Sequence, residues 1–216
     1  MRNLGFHLTE NPNNCDIVCA PKIARTRKFV AALASAPNIV NATFIDHCLK
    51  QNEIPPYLSD FALVDPEAEN RFGFRLSDAL DRAKGNNRRL MSGFQIFVTN
   101  GVLGGWDTFR DIINANGGNC YLYKANSRVD LVPREEPEDE ALSKNREKDD
   151  RDFVYMVSGF NNDEVALWKK FREMVKKQGL KPRIAMPDWV LQFAMTQEFA
   201  WEDRWELDEG RVPAQG

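Results

Sequence analysis

Apolar positions along this chain fall into two matching series. The first runs through Gly5-Phe6-His7-Leu8-Thr9, then Cys15 to Cys19, then a helical stretch 26–35. A short strand, Asn38-Ile39-Val40-Asn41, and a helix from Ala42 to Lys50 follow. The second runs through Cys120-Tyr121-Leu122-Tyr123, Asp152 to Ser158 and a helix from Asp163 to Gln178. It closes with Arg183-Ile184-Ala185-Met186 and a helix from Pro187 to Thr196. Both series read strand, strand, helix, short strand, helix. Short apolar runs alternating with amphipathic helices predict an α/β unit built on parallel strands.

The second series has two further elements upstream. Gly93 to Thr99 reads as a strand, and Trp106 to Asn116 as a helix with Phe109, Ile112 and Ile113 on one face. Asn116-Gly117-Gly118 stops that helix, with glycine at its C-terminal end. In the first series only Arg2 to Gly5 matches the end of such a helix, so a strand and most of a helix are expected to precede Met1. Between the series, residues 53–91 hold Pro55-Pro56, an acidic stretch and an amphipathic helix 76–84 that Gly85 is expected to end. Residues 134–152 hold nine acids and five bases with almost no apolar group, the pattern of a solvated insert.

Length and composition allow ordinary globular cores: 216 residues, 43% hydrophobic and 28% charged. The net charge of −3 implies no general attraction to nucleic acid or membrane. No apolar run reaches transmembrane length. The first fifty residues depart from this balance, with six Lys or Arg against Glu10, Asp16 and Asp46. That local excess suits an acidic ligand better than a DNA duplex. Cys15, Cys19, Cys48 and Cys120 read as free buried thiols of a reducing compartment, because Cys15-x3-Cys19 on one strand suits neither a disulfide nor a zinc finger.

The candidate chemistry sits in Arg25-Thr26-Arg27-Lys28-Phe29. It follows a strand and Pro21, and opens a helix. A hydroxyl stands at the N-cap and a lysine within the first turn, where free amides and the helix dipole favour an anion. A solvated lysine explains that lysine equally well on its own. No dinucleotide or nucleotide phosphate loop, nucleophile elbow or metal-binding helix is present, so neither catalysis, a cofactor nor a metal is predicted. Gly101-Val102-Leu103-Gly104-Gly105 follows a strand with the wrong spacing for a phosphate loop. His7 and His47 read as structural or exposed, and Asp107 with Asp111 as a solvated i, i+4 pair.

A strand, then Arg-Thr-x-Lys-Phe opening a helix, then a short strand and a last helix bearing an aromatic resembles a BRCT domain. Gly117-Gly118 matches the family's turn, Trp189 its last-helix tryptophan, and Phe44 stands where that tryptophan sits in the first repeat. The chain resembles a tandem BRCT pair, most like the C-terminal pair of fungal multi-BRCT DNA-damage scaffolds. The divisions implied are a first repeat 1–52, a linker 53–89, a second repeat 90–200 and a tail 201–216. Each repeat is then a four-stranded parallel sheet in order 2-1-3-4 flanked by helices. Helix 26–35 is expected to meet helices 106–116 and 187–196 through Phe29, Leu33, Phe109, Ile113, Val190 and Phe193.

The resemblance also implies a ligand, a phosphoserine tail such as the phosphorylated C-terminus of a core histone at damaged chromatin. It implies a monomeric nuclear module with other repair or replication proteins as partners, and disfavours direct DNA binding. Lys28 matches the phosphate-binding lysine, and Thr26 a threonine orienting it. The family's partner hydroxyl and glycine fall before Met1. Arg25 matches the arginine that reads the third residue after the phosphoserine, or a free C-terminal carboxylate, which a guanidinium fork suits. The groove wall is expected from Leu103, Gly104, Gly105, Trp106, Asp188, Leu191 and Gln192. In the second repeat Asp163 and Glu164 take the helix start, with Ala166 at the lysine position, so only the first repeat is expected to bind phosphate. A structural BRCT pair binding an unphosphorylated protein or DNA ends is the alternative.

Overall fold

A computed structural model describes residues 4–127, 130–131 and 152–210. The charged insert 134–152 lies outside the described residues except for Asp152. Among the described residues, β1 (Ile17–Cys19) and β2 (Asn38–Val40) form a parallel pair, with Val18 opposite Ile39. Helices α1 (Arg27–Leu33) and α2 (Thr43–Gln51) follow these two strands. The second unit has β3 (Gln95–Thr99), β4 (Asn119–Tyr123), β5 (Phe153–Val157) and β6 (Lys181–Ala185), all parallel, in spatial order β4-β3-β5-β6. Taken in chain order this is the 2-1-3-4 arrangement. Its helices are α5 (Trp106–Ala115), α6 (Asn162–Lys177) and α7 (Pro187–Thr196). The linker carries α3 (Pro66–Phe72) and α4 (Leu76–Asn86).

Period-two alternation explains the layering. Ile96, Val98, Tyr155 and Val157 face one side of the larger sheet, where α5 and α7 cover them. Phe97, Val154 and Met156 face the other, against Trp168, Phe171 and Val175 of α6. Two helices thus cover one face of the larger sheet and one helix the other. Trp189 lies fully buried and stacks on Tyr155 with ring centroids 4.7 Å apart. Its counterpart Phe44 sits edge-on to Phe6 and Phe61, centroids 5.9 and 5.8 Å away, in a smaller core with Val40 and Cys48.

The two units share one core. Phe29 and Leu33 of α1, Phe109 and Ile113 of α5, and Val190 and Phe193 of α7 are all buried in the same cluster. Leu76 and Ala79 of α4 join it, so the linker is packed into the interface. Polar contacts seal this seam: Arg82 Nε donates to Thr196 O at 2.7 Å, and Asn86 Nδ2 to Gln197 O at 2.8 Å. Gly117 shows why the turn after α5 needs glycine. Its φ is +82°, and an added Cβ would lie 2.5 Å from Arg88 O.

Four local expectations differ from the structure. Gly5 to Thr9 is not a strand: no strand among the described residues pairs with it, and Leu8 is fully exposed while Phe6 packs beside Phe44. Helix α4 runs through Gly85 to Asn86, because Asn87 takes the left-handed capping conformation at φ 46°. The acidic stretch before it contains α3, whose N-cap Asp65 accepts from Ala68 N at 3.1 Å and whose first residue is Pro66. The cysteines are free, but of the four Cys48 alone is buried, and Cys19 is exposed at the end of its short strand. Burial pushes the Cys120 thiol up to about 12. Residues 201–207 also pack on the second unit, with Trp205 and Leu207 buried and Leu207 N donating to Ile184 O at 2.7 Å.

Candidate functional site

The site is assembled where the loop after β1 enters α1. Ile23 anchors that loop: it is fully buried, and its N–H donates to Asp65 Oδ2 at 2.9 Å. Asp65 caps α3 with its other oxygen, so one carboxylate ties the loop to the linker, and these backbone bonds hold its pKa below the usual value. Thr26 is the N-cap, with extended backbone at φ −83° and ψ 147°. Its hydroxyl makes no capping bond, which leaves the first amides of α1 to other acceptors. Phe29 to Leu33 are buried, so the opposite face presents Arg27 and Lys28 outward.

Each cation of the motif meets a carboxylate. Lys28 pairs with Glu10, from the loop before the short turn Pro12–Asn14, and this holds the Glu10 carboxyl below its ordinary range. Arg27 reaches across to Asp111 of α5. Asp111 also accepts from Arg110 Nε and Nη2 at 3.0 and 2.9 Å. Arg110 binds Asp107 at 2.7 Å and lies over the Trp106 ring, 4.7 Å from its centroid. Glu10, Asn11, Pro12, Arg27, Lys28 and Asp111 line an open cleft of about 560 Å³ at the seam between the units. Lys28 keeps 66% of its side-chain surface exposed, so a ligand in this cleft can reach it.

Arg25 points to the other side of the seam. Its Nη1 donates to Asp188 Oδ1 at 2.6 Å and its Nη2 to Gln192 Oε1 at 2.8 Å, both on α7. The guanidinium also lies over Phe72, 4.8 Å from the ring centroid, while Nε is buried without a partner among the described residues. Gln192 Nε2 donates to Phe72 O at 3.0 Å, which completes a strut between repeat, linker and repeat. The structure therefore brings Arg25 together with Asp188 and Gln192. Leu191 is half-buried on the same helix and packs against the shared core.

The other expected wall residues are not among those lining this cleft. Leu103 is 89% exposed on a loop that turns through Gly104 and Gly105, with φ of +99° and +79°. Trp106 packs its ring on the shared core, and its Nε1 is buried without a partner among the described residues. Sequence reasoning missed Glu10, Phe72 and the cross-repeat role of Asp111. An i, i+4 spacing says which residues share a helix face, not which helix comes to face them. Counted from the N-caps Thr26 and Asn161, the partner of Lys28 in the second repeat is Asp163 rather than Ala166. No cluster of metal-ligating side chains occurs among the described residues, and no helix among them is long and apolar enough to cross a membrane.

Comparison with known proteins agrees with this architecture. Residues 1–63 match the BRCT domain of Regulator of Ty1 transposition protein 107. BRCT-containing protein 1 of Schizosaccharomyces pombe is 27% identical over 210 residues, covering 94% of this chain and 22% of that protein. Human Mediator of DNA damage checkpoint protein 1 is 33% identical over 141 residues, covering 62% of this chain and 6% of that one. This chain thus spans less than a quarter of those relatives. Among solved structures, the BRCT5-BRCT6 domains of S. pombe Brc1 superpose with a TM-score of 0.68 at 23% identity, covering 97% of this chain and 90% of that chain. Rtt107p in complex with a phosphorylated histone superposes with a TM-score of 0.60 at 17% identity, covering 94% and 80%. With one parallel α/β unit on either side of a shared helical seam, the chain has the fold of the tandem BRCT repeats of Brc1 and Rtt107p.

Proposed function

We propose that this pair is a non-catalytic reader of a phosphoserine tail, the phosphorylated C-terminus of a core histone, within a nuclear DNA-damage scaffold. One observation carries the reading: Lys28 stands exposed in the first turn of α1, at the mouth of a cleft between the repeats, with the N-cap hydroxyl uncommitted. A phosphate brings close to two negative charges and three acceptor oxygens, so it replaces Glu10 on Lys28 with a stronger partner. Thr26, at the N-cap, orients the first turn toward that phosphate. Arg25 takes the end of the tail. Asp188 is half exposed beside it, and a ligand carboxylate displaces Asp188 from Nη1 while Gln192 stays in place. Support for the histone comes from the structural likeness to Rtt107p, a protein of this fold that has been solved in complex with a phosphorylated histone.

Calorimetry with three peptides tests the reading: a Ser(P)-Gln-Glu-Leu tail with a free carboxylate, the unphosphorylated form, and the phosphorylated form with an amidated end. The first is expected to bind, the second not to bind measurably, and the third to bind about tenfold more weakly, roughly 1.4 kcal/mol. Equal affinity for the first two removes phosphate recognition. Equal affinity for the first and third makes the ligand an internal phosphoserine.

Glu10 supplies a second expectation. As an internal competitor for Lys28 it weakens ligand binding by the value of one exposed ion pair. Glu10→Gln is therefore expected to tighten phosphopeptide binding about two- to fivefold at low salt. The gain should shrink in high salt. Weaker binding by the variant would place Glu10 among the ligand's own contacts.

A further inference from the structure

The second repeat contains a buried carboxylate that phosphate reading does not use. Glu164, in the first turn of α6, is 5% exposed. Its Oε1 accepts from Gly101 N at 2.9 Å. Its Oε2 accepts from Gly159 N at 3.3 Å and from Ser158 Oγ at 3.2 Å. Trp168 Nε1 donates to the same Ser158 oxygen at 2.8 Å, and the one hydroxyl hydrogen is shared between Glu164 Oε2 and Gly159 O, which lies 3.1 Å away. Asn161 Oδ1 accepts from Glu164 N at 3.0 Å and holds the first turn of α6 over the carboxylate.

These donors come from two places, the loop after β3 and the turn after β5, and they meet the carboxylate at the start of a helix sixteen residues long. Backbone amides and a hydroxyl converging on a helix N-terminus form an oxyanion cradle. The cradle has no room for a side chain on its walls. A Cβ on Gly101 would lie 2.7 Å from Glu164 Oε1, and one on Gly159 would lie 3.0 Å from Gly101 O. Asp163, the residue next to it, is exposed and contributes nothing to this arrangement.

We propose that Glu164 is a resident anion: its carboxylate fills an oxyanion cradle in the second repeat, closes that repeat to phosphate, and pins the loop 100–105. The second role rests on the reading of that loop as groove wall. Glu164 is a positioning residue, since it reaches the ligand only through Gly101 and the loop that carries Leu103, Gly104 and Gly105. A vacated cradle would take a tetrahedral oxyanion, sulfate or phosphate, in the carboxylate's place.

The test removes the first-repeat cation, so that only the second repeat responds to added anion. Chains carrying Lys28→Met alone or Lys28→Met with Glu164→Ala are melted against increasing inorganic sulfate, with ionic strength held constant by chloride. The double variant is expected to melt lower without sulfate and to regain most of the difference as sulfate rises. Lys28→Met alone should show only the small shift general to sulfate. Equal shifts in both chains overturn the proposal. If the double variant does not fold, Glu164→Gln keeps the shape but turns an amide toward the Gly159 N–H. Hydrogen exchange at Gly101 and Gly159 is then expected to accelerate about tenfold or more, and unchanged protection overturns the proposal. Neither arm uses a peptide, so failure of phosphopeptide binding in the unmutated chain would be a separate result.

Discussion

Lys28→Met is expected to weaken binding of the phosphoserine tail by about 2–3 kcal/mol, roughly thirty- to 150-fold, the scale of a charge-assisted contact. The physical basis is position as well as charge. Lys28 sits in the first turn of α1, where the dipole disfavours a cation by only tenths of a kcal/mol and favours an anion placed between them. Nothing in the fold asks for lysine here. Its side chain is 66% exposed and its partner Glu10 is 93% exposed, so the pair belongs to the class of solvent-screened surface ion pairs that add little to stability. Melting temperature should therefore stay close to that of the unmutated chain while affinity for the phosphorylated peptide collapses. Methionine keeps the length and the apolar stem, so the variant isolates the ammonium. Calorimetry that finds the same affinity in both chains would leave Lys28 a solvated residue, and would favour a pair that binds an unphosphorylated partner.

The elements that the sequence makes legible are those whose apolar faces are long enough to show a period. Phe109, Ile112 and Ile113 mark α5, and Val190 with Phe193 marks α7, because each presents apolar positions three or four apart to one core. The larger sheet is equally plain, since Phe94 to Val98 and Phe153 to Val157 are nearly continuous apolar runs between two covered faces. Short elements are not. Helix α3 has seven residues and Ala68 as its one buried position, so its signal lies in Asp65-Pro66 at the cap, inside a run of acids that reads as solvated chain. Gly85 looks like a stop, yet a helical glycine costs only about 1 kcal/mol against alanine, and the cap that ends α4 is Asn87.

For the site, the motif Arg25 to Lys28 is legible as residues but not as partners. Its three basic residues fan to three different acids, Asp188 on α7, Asp111 on α5 and Glu10 in the preceding loop. Arg27 and Lys28 are consecutive helical positions that point about 100° apart, and Arg25 lies in the loop before the N-cap, so each meets a different neighbour. Which neighbour it meets is decided by the packing of the two repeats, at sequence separations of 163 residues for Arg25 and 84 for Arg27. Glu164 is the reverse case. Its place at a helix start suggests a simple dipole complement, and only the tertiary approach of Gly101 and Gly159 turns it into a filled cradle.

Phe109→Ala is expected to have the largest effect on the fold, about 3–5 kcal/mol of stability lost, against a total of roughly 5–15 kcal/mol for a typical domain. Phe109 is 1% exposed and lies in the cluster where Phe29 and Leu33 of the first repeat meet Val190 and Phe193 of the second. Truncation leaves a cavity at the seam itself, and both repeats lose contacts at once. At about 2–4 °C per kcal/mol for a chain of this size, melting should fall by roughly 6–20 °C. Peptide affinity should fall as well, because Lys28 and Arg25 belong to one repeat while Asp111, Asp188 and Gln192 belong to the other. Leu103→Ala is the control for stability: that side chain is 89% exposed, so melting should not move. Phe109→Ala with unchanged melting and unchanged affinity would mean that α5 does not hold the two repeats together, and the shared seam on which the groove depends would have to be abandoned.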